Sequence, residues 1–141
     1  MIIILDAGHG MDTEGKRSPD GSLLEYKYCR EIRDMICDKL EWMGYTVVYT
    51  TFSEYDVSLS NRCRVVNQFC DSFGNKNCLL VSIHCNASGF GSKWMNASGW
   101  SVYLSNNASN NSKILAECLF DAADKYQLKT RKPSPNQKYW T

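Results

Sequence analysis

Short apolar runs alternate with longer amphipathic stretches, and this alternation restricts the fold more than any other feature of the chain. Runs at Ile2–Leu5, Tyr45–Thr50 and Cys78–Ile83 are rich in β-branched or aliphatic residues and predict strands. Between them, apolar residues recur at steps of three and four in 24–43 and 59–73, which predicts two helices. Parallel strands need such long crossovers, so this order predicts an α/β fold with a mostly parallel sheet flanked by helices on both faces.

The ends of the helices are marked, and further elements follow. Gly44 stands where a C-cap glycine belongs, and Ser58 is a good N-cap for the second helix. A shorter strand is predicted at Trp100–Leu104 and a third helix at Ile114–Tyr126. Surface loops are predicted in the two segments rich in Asn, Ser and Gly, residues 86–98 and 105–112.

Size and charge indicate one globular domain over residues 1–141 with no strong electrostatic preference. The 16 basic and 15 acidic residues leave a net charge of +1, which does not indicate nucleic acid or an anionic membrane as a partner. The longest aliphatic run, Ile2–Leu5, is too short for a spanning helix or a signal-peptide core. We therefore expect the chain to be synthesised in the cytoplasm without a signal peptide.

The seven cysteines are an odd number and include no Cys-x-x-Cys pair. Most of them fall on apolar stripes, where a free cysteine behaves as a small hydrophobic residue. We therefore expect reduced thiols and no structural zinc site built from cysteines.

Three residues predict a catalytic metal site at the carboxyl edge of the sheet. His9 follows the first strand, Glu25 opens the first helix, and His84 follows Cys78–Ile83 directly. Two imidazoles and one carboxylate, with the fourth position left to water, are a typical ligand set for catalytic zinc. The alternatives are packing or surface roles for the histidines and, for Glu25, a capping box with Ser22.

The motifs around these residues resemble the type 3 family of zinc-dependent N-acetylmuramoyl-L-alanine amidases. The resemblance covers essentially the whole chain and is strongest in the two blocks that contain the histidines, which are Leu5-Asp6-Ala7-Gly8-His9-Gly10 and Ser82-Ile83-His84-Cys85-Asn86-Ala87. Glu25 at a helix start, Gly44-Tyr45-Thr46-Val47 and Leu59-x-x-Arg62 occur in the order and spacing of the family.

The resemblance implies one zinc ion held by His9, Glu25 and His84, and hydrolysis of the amide between N-acetylmuramic acid and L-alanine in peptidoglycan. Zinc polarises the scissile carbonyl and lowers the pKa of its bound water towards roughly seven, so hydroxide is available at neutral pH. Asp6 and Asn86 flank the ligands and are candidates for contacts with the ligands or the substrate, although Asp6 could equally close a turn.

No catalytic role is predicted at two other positions of the family pattern, Arg62 and Met11. Arg62 lies one residue off the apolar stripe of the second helix, where a structural salt link or a solvated charge is its ordinary role. Met11 stands where glycine is more usual in the family, which leaves the path of the loop after His9 open.

The resemblance also implies a final strand that ends in a catalytic glutamate, followed by a last helix. The sequence ends at Tyr139-Trp140-Thr141 without such a strand, so we expect the general base to lie beyond Thr141. Among the other carboxylates, Asp12 and Glu14 in the first loop are weak candidates at best. Glu117, Asp121 and Asp124 lie within the third helix and are interpreted as ordinary helix residues. Loss of a general base typically lowers the rate by roughly 10²–10⁴-fold, so we expect zinc binding with little activity.

Two explanations of this ending compete, a shortened form of a longer enzyme or a natural short protein that binds cell wall without cutting it. We favour the former, because a missing strand would expose an apolar sheet edge, which would also favour dimers.

The expected function is hydrolysis of bacterial cell wall by a phage lysis enzyme or by a fragment of an autolysin. The alternatives are a non-catalytic peptidoglycan-binding or regulatory protein and a zinc carboxypeptidase or endopeptidase of cell-wall peptides.

Overall fold

The computed structural model describes residues 1–88 and 91–141, which form two compact units, Met1–Met95 and Asn96–Thr141. Gly89 and Phe90, within the predicted 86–98 loop, lie outside the described residues. None of the helices in the described ranges combines the length and the apolar character that a membrane crossing requires. All seven cysteines are free thiols, as the sequence predicts.

The first unit is a parallel three-stranded sheet whose strands alternate with helices. Its elements in chain order are β1 (Ile2–Ala7), α1 (Glu25–Trp42), β2 (Thr46–Tyr49), α2 (Leu59–Phe73), a short 3₁₀ turn (Asn75–Asn77) and β3 (Cys78–Ile83). The strand order is β2-β1-β3, and both neighbours of β1 are parallel to it. The predicted α/β class with a mostly parallel sheet is therefore confirmed.

The central strand β1 is packed on both faces, which explains why it is apolar almost throughout. Ile3 and Leu5 point to one face and form the core with Cys37 of α1. Asp6 points to the opposite face and contacts Arg62 of α2. One helix therefore packs on each face of the sheet, as the sequence predicts.

The helix ends agree with the predicted signals at α2 and only in part at α1. The Ser58 hydroxyl accepts a hydrogen bond from the Asn61 amide at 3.3 Å and caps α2. At the end of α1, Met43 is the C-cap residue and Gly44 follows with φ of 86°. At the start of α1 the N-cap position is Leu24, whose side chain cannot cap the helix.

In the second unit, the predicted strand at Trp100–Leu104 is wrong. This segment makes only isolated bridges, from Trp100 to Thr130 and from Tyr103 to Trp140. The Trp100 amide donates to the Lys129 carbonyl oxygen at 2.7 Å. Its backbone groups are thus satisfied by a later irregular segment, which an apolar run cannot reveal because the pattern contains no information about the partner.

The helix of the second unit, α3 (Asn110–Lys125), begins earlier than its apolar stripe suggests. The Ser109 hydroxyl caps it by accepting a hydrogen bond from the Ser112 amide at 3.2 Å. The loop predicted over residues 105–112 is therefore too long, because polar residues form the whole first turn of the helix.

A buried ion pair connects α2 to all three strands of the first unit. Arg62, only 5% exposed, lies 2.8 Å from Asp6 through Nη1 and Oδ1. Asp6 also accepts hydrogen bonds from the hydroxyls of Ser82 on β3, at 2.6 Å, and of Thr50 after β2. Burial alone would raise the pKa of Asp6, but these hydrogen bonds and the Arg62 charge outweigh it, so the pKa is lowered.

This arrangement identifies the structural contacts of both residues, and the predicted contact of Asp6 with the ligands or the substrate stays a prediction. Arg62 makes a structural salt link, as one of its two predicted roles states, and its burial excludes a solvated charge. Asp6 lies within β1, so it does not close a turn. Its carboxylate contacts Arg62, Ser82 and Thr50.

Replacing Arg62 with methionine should destabilise the protein by roughly 3–5 kcal/mol, because Asp6 would be left buried without its counter-charge. Urea unfolding followed by circular dichroism measures this loss. The matched control is Arg64→Met on an exposed position of the same helix, which should change the free energy of unfolding by no more than about 0.5 kcal/mol. Equal effects of the two substitutions would contradict a structural role for the ion pair.

Candidate metal centre

The two histidines meet because they follow neighbouring parallel strands. The register pairs Ala7 of β1 with Ile83 of β3, and the Gly8 amide donates to the Ile83 carbonyl oxygen at 2.9 Å. His9 and His84 therefore leave the sheet at the same edge. Their ring centroids lie 5.0 Å apart, with the rings nearly perpendicular.

The Glu25 carboxylate lies between the two imidazoles. Its Oε1 atom is 3.4 Å from Nε2 of His9 and 3.3 Å from Nδ1 of His84. The Cys85 amide donates to the same oxygen at 2.9 Å and fixes its position. Glu25 is the first residue of α1 and only 5% exposed, so the helix start brings a buried carboxylate to the sheet edge.

The alternative capping-box role of Glu25 is wrong. The Ser22 amide, which the carboxylate would have to reach, donates instead to Oδ1 of Asp20 at 3.1 Å. The Ser22 hydroxyl also donates to Asp20, at 2.8 Å. The carboxylate of Glu25 is thus available to groups that follow β3.

The pKa shifts of His9 and Glu25 suit metal ligands. Burial is the largest influence on His9 and lowers the pKa of its imidazole, which favours the neutral, ligating form at neutral pH. Burial alone would raise the pKa of Glu25, but the hydrogen bonds from His84 and the Cys85 amide, together with the nearby charges of His9 and Lys16, outweigh burial and lower the pKa. The cluster therefore combines an ionised carboxylate with a neutral imidazole.

Arginine side chains hold the backbone of His9 in a conformation that few non-glycine residues adopt. His9 has φ of 60°, in the left-handed region. Its carbonyl oxygen accepts hydrogen bonds from Nη2 of Arg30 at 3.1 Å and of Arg62 at 3.4 Å. The sequence analysis missed the contribution of Arg30, because its position on α1 resembles that of any polar helix residue.

Two glycines allow the chain to pack tightly around the histidines. A Cβ atom on Gly8 would overlap the imidazole of His84, and one on Gly10 would overlap the backbone of Tyr55 and Asp56. Both positions exclude larger residues because of close approach. At the next residue, the Met11 amide donates to the Glu54 carbonyl oxygen at 2.8 Å, which defines the loop path that the sequence left open.

The loop after His9 borders a cavity of about 380 Å³. Asp12, Glu14 and Lys16 are among the residues that line it. The Asp12 carboxylate accepts a hydrogen bond from the Asp56 amide at 2.6 Å, so it has a local structural role.

The predicted ligands His9, Glu25 and His84 offer one donor atom each within 4.8 Å of one another. Two nitrogen donors and one carboxylate match the preference of zinc, and the His84 side chain, 44% exposed, leaves the cluster open to solvent. The residues therefore fit a catalytic zinc ion, and their role as its ligands stays a prediction. The predicted role of Asn86, two residues after His84, also stays a prediction.

Comparison with known proteins agrees with the family resemblance of the sequence motifs. A family model described as N-acetylmuramoyl-L-alanine amidase matches residues 3–141. No curated protein matches the sequence.

Three solved structures resemble the fold. An N-acetylmuramoyl-L-alanine amidase from Clostridium difficile 630 is 24% identical, with a TM-score of 0.75 over 92% of this chain and 66% of that chain. The catalytic domain of CwlV, an N-acetylmuramoyl-L-alanine amidase from Bacillus (Paenibacillus) polymyxa var. colistinus, is 25% identical, with a TM-score of 0.72 over the same shares. The CwlD amidase from Clostridioides difficile, in complex with the GerS lipoprotein, is 25% identical, with a TM-score of 0.67 over 88% and 65%. The chain thus spans slightly less than two thirds of the length of these structures.

A double-mutant cycle tests the contact between Gly8 and His84. Gly8→Ala should lower the free energy of unfolding by roughly 1–3 kcal/mol, because the new methyl group and the imidazole cannot both fit. In a His84→Ala background the same substitution should have a clearly smaller effect, since the overlapping ring is gone. Urea unfolding of the four proteins measures the coupling, and equal effects in both backgrounds would contradict the close packing.

Proposed function

Since the chain belongs to the N-acetylmuramoyl-L-alanine amidase family, we propose that it is a zinc-dependent hydrolase that cuts the amide between N-acetylmuramic acid and L-alanine in peptidoglycan. The observation that carries the proposal is the convergence of His9, Glu25 and His84 at the carboxyl edge of the sheet. In open α/β sheets, this edge is where ligands usually bind. The site of action that follows is the bacterial cell wall.

In the proposed mechanism, His9, Glu25 and His84 hold the zinc ion. The chemistry that zinc supplies in such a site is that of a Lewis acid, which polarises a carbonyl group and makes water acidic enough to ionise near neutral pH. The Cys85 amide fixes the Glu25 carboxylate, and Arg30 fixes the backbone of His9. These contacts hold the donor atoms before a ligand arrives, which reduces the reorganisation that binding requires.

The cavity lined by the loop after His9 offers room for part of a substrate. Its walls include Lys16 and Arg17 together with Asp12 and Glu14, so both signs of charge are available to polar groups of a stem peptide. We assign no general base among these residues.

Zinc binding tests the ligand assignment without reference to activity. Glu25→Gln should weaken zinc binding by at least about 10–100-fold, because the carboxylate ligand is lost while the side chain keeps its size. Competition with a chromophoric chelator measures the affinity. Glu31→Gln, an exposed position on the same helix, is the matched control and should leave the affinity unchanged; an equal affinity in the Glu25 variant would overturn the assignment.

Digestion of purified sacculi tests the reaction itself. The zinc-loaded protein should release stem peptides with a free L-alanine amino terminus, above the level given by a His84→Ala variant. Mass spectrometry of the soluble products identifies the bond that was cut. Free amino acids or opened cross-links would instead identify a carboxypeptidase or endopeptidase. Binding to sacculi with no product above the variant's level would contradict the amidase proposal and favour a non-catalytic peptidoglycan-binding function.

A further inference from the structure

Two cysteines lie directly behind the Glu25 carboxylate. Cys29 follows Glu25 by one turn of α1, so both side chains are on the same face of the helix, and Cys29 is fully buried. Cys85 follows His84, and its amide donates to Oε1 of Glu25 at 2.9 Å. The sulfur atoms of Cys29 and Cys85 lie within 4.8 Å of each other.

These three residues have the geometry of a metal site of their own. Glu25, Cys29 and Cys85 each offer a donor atom within 4.8 Å of the other two, and the donors of His9, Glu25 and His84 lie within the same limit. The spacing of the cysteines along the sequence predicts no structural zinc site of cysteines. The fold brings together two thiols that are far apart in sequence, and it places a carboxylate beside them.

We infer that Glu25, Cys29 and Cys85 form a second cation site, selective for thiophilic metals such as cadmium, which shares Glu25 with the imidazole site. Sulfur ligands favour soft cations, whereas imidazole and carboxylate ligands also suit harder ones. When a divalent ion binds, two S–H protons leave to solvent and two metal–sulfur bonds form.

The shared carboxylate makes the two sites compete. A cation held by the thiols also takes the Glu25 carboxylate as a ligand, so the other site keeps only His9 and His84. Because such coupling is reciprocal, a cation held by the imidazoles must weaken binding at the thiols by the same factor. Thiophilic metals are therefore expected to oppose metal binding by the histidines.

Titration of the reduced, metal-free protein with cadmium chloride tests the inference. The thiolate-to-cadmium charge-transfer absorption should rise and saturate at one cadmium ion per chain. Cys85→Ser should abolish this band, and so should Cys29→Ala. Circular dichroism checks that both variants fold. If the buried Cys29 position does not tolerate alanine, the variant at Cys85, which is partly exposed, still tests the inference.

The chain offers a matched control in a second pair of thiols. Cys70 and Cys78 are also neighbouring thiols, but they belong to no group of three candidate ligands in the described part of the chain. Cys70→Ser should therefore leave the cadmium band intact. A band that disappears in this variant and persists without Cys29 or Cys85, or the absence of any band in the unmodified protein, would overturn the inference.

A His84→Ala variant separates this inference from the proposed function. It removes a ligand of the imidazole site but should keep the cadmium band, because the thiol site does not use that ring. In the unmodified protein, prior addition of zinc should weaken cadmium binding, and it should do so less in the His84 variant. An equal effect of zinc in both proteins would contradict a shared Glu25, whatever the outcome of the digestion of sacculi.

Discussion

The parallel register between β1 and β3 is the constraint on which the candidate site depends. Because Ala7 lies opposite Ile83, the residues that follow both strands leave the sheet at the same edge. The ring centroids of His9 and His84 therefore lie only 5.0 Å apart. A shift of one residue would turn every side chain of one strand to the other face of the sheet. The apolar packing of Ile3 and Leu5 against α1 opposes such a shift, so the burial of the core also determines the position of the histidines.

The buried polar network connects stability with site geometry. Arg62 neutralises Asp6 in the sheet and also donates to the carbonyl oxygens of Ala7 and His9. One guanidinium therefore satisfies a buried charge and holds the backbone of a candidate ligand. Arg30 supplements it from the opposite helix by bonding the carbonyl oxygens of His9 and Ser53. The left-handed conformation of His9 persists because several fixed donors determine it.

The sequence predicted those features that depend on a local pattern. β3 was predicted with its observed bounds, because an apolar run that is flanked by polar residues has few other structures available. Features that depend on a distant partner were not predicted. Whether Glu25 caps its own helix or faces His84 depends on Asp20 and Cys85, and the failure of Trp100–Leu104 to form a strand depends on residues near Thr130. No periodicity identifies such partners.

The charge of Glu25 gives the strongest physical reason to expect a cation at this site. In the described part of the chain, its ion-pair partners are His9 and His84, while Arg30 bonds backbone carbonyl groups and Arg62 pairs with Asp6. With the pKa of His9 lowered by burial and that of Glu25 lowered by its hydrogen bonds, the carboxylate is ionised beside a neutral imidazole. A buried negative charge without a full counter-charge is costly. A divalent cation, bound by the imidazoles or by the thiols, would compensate it.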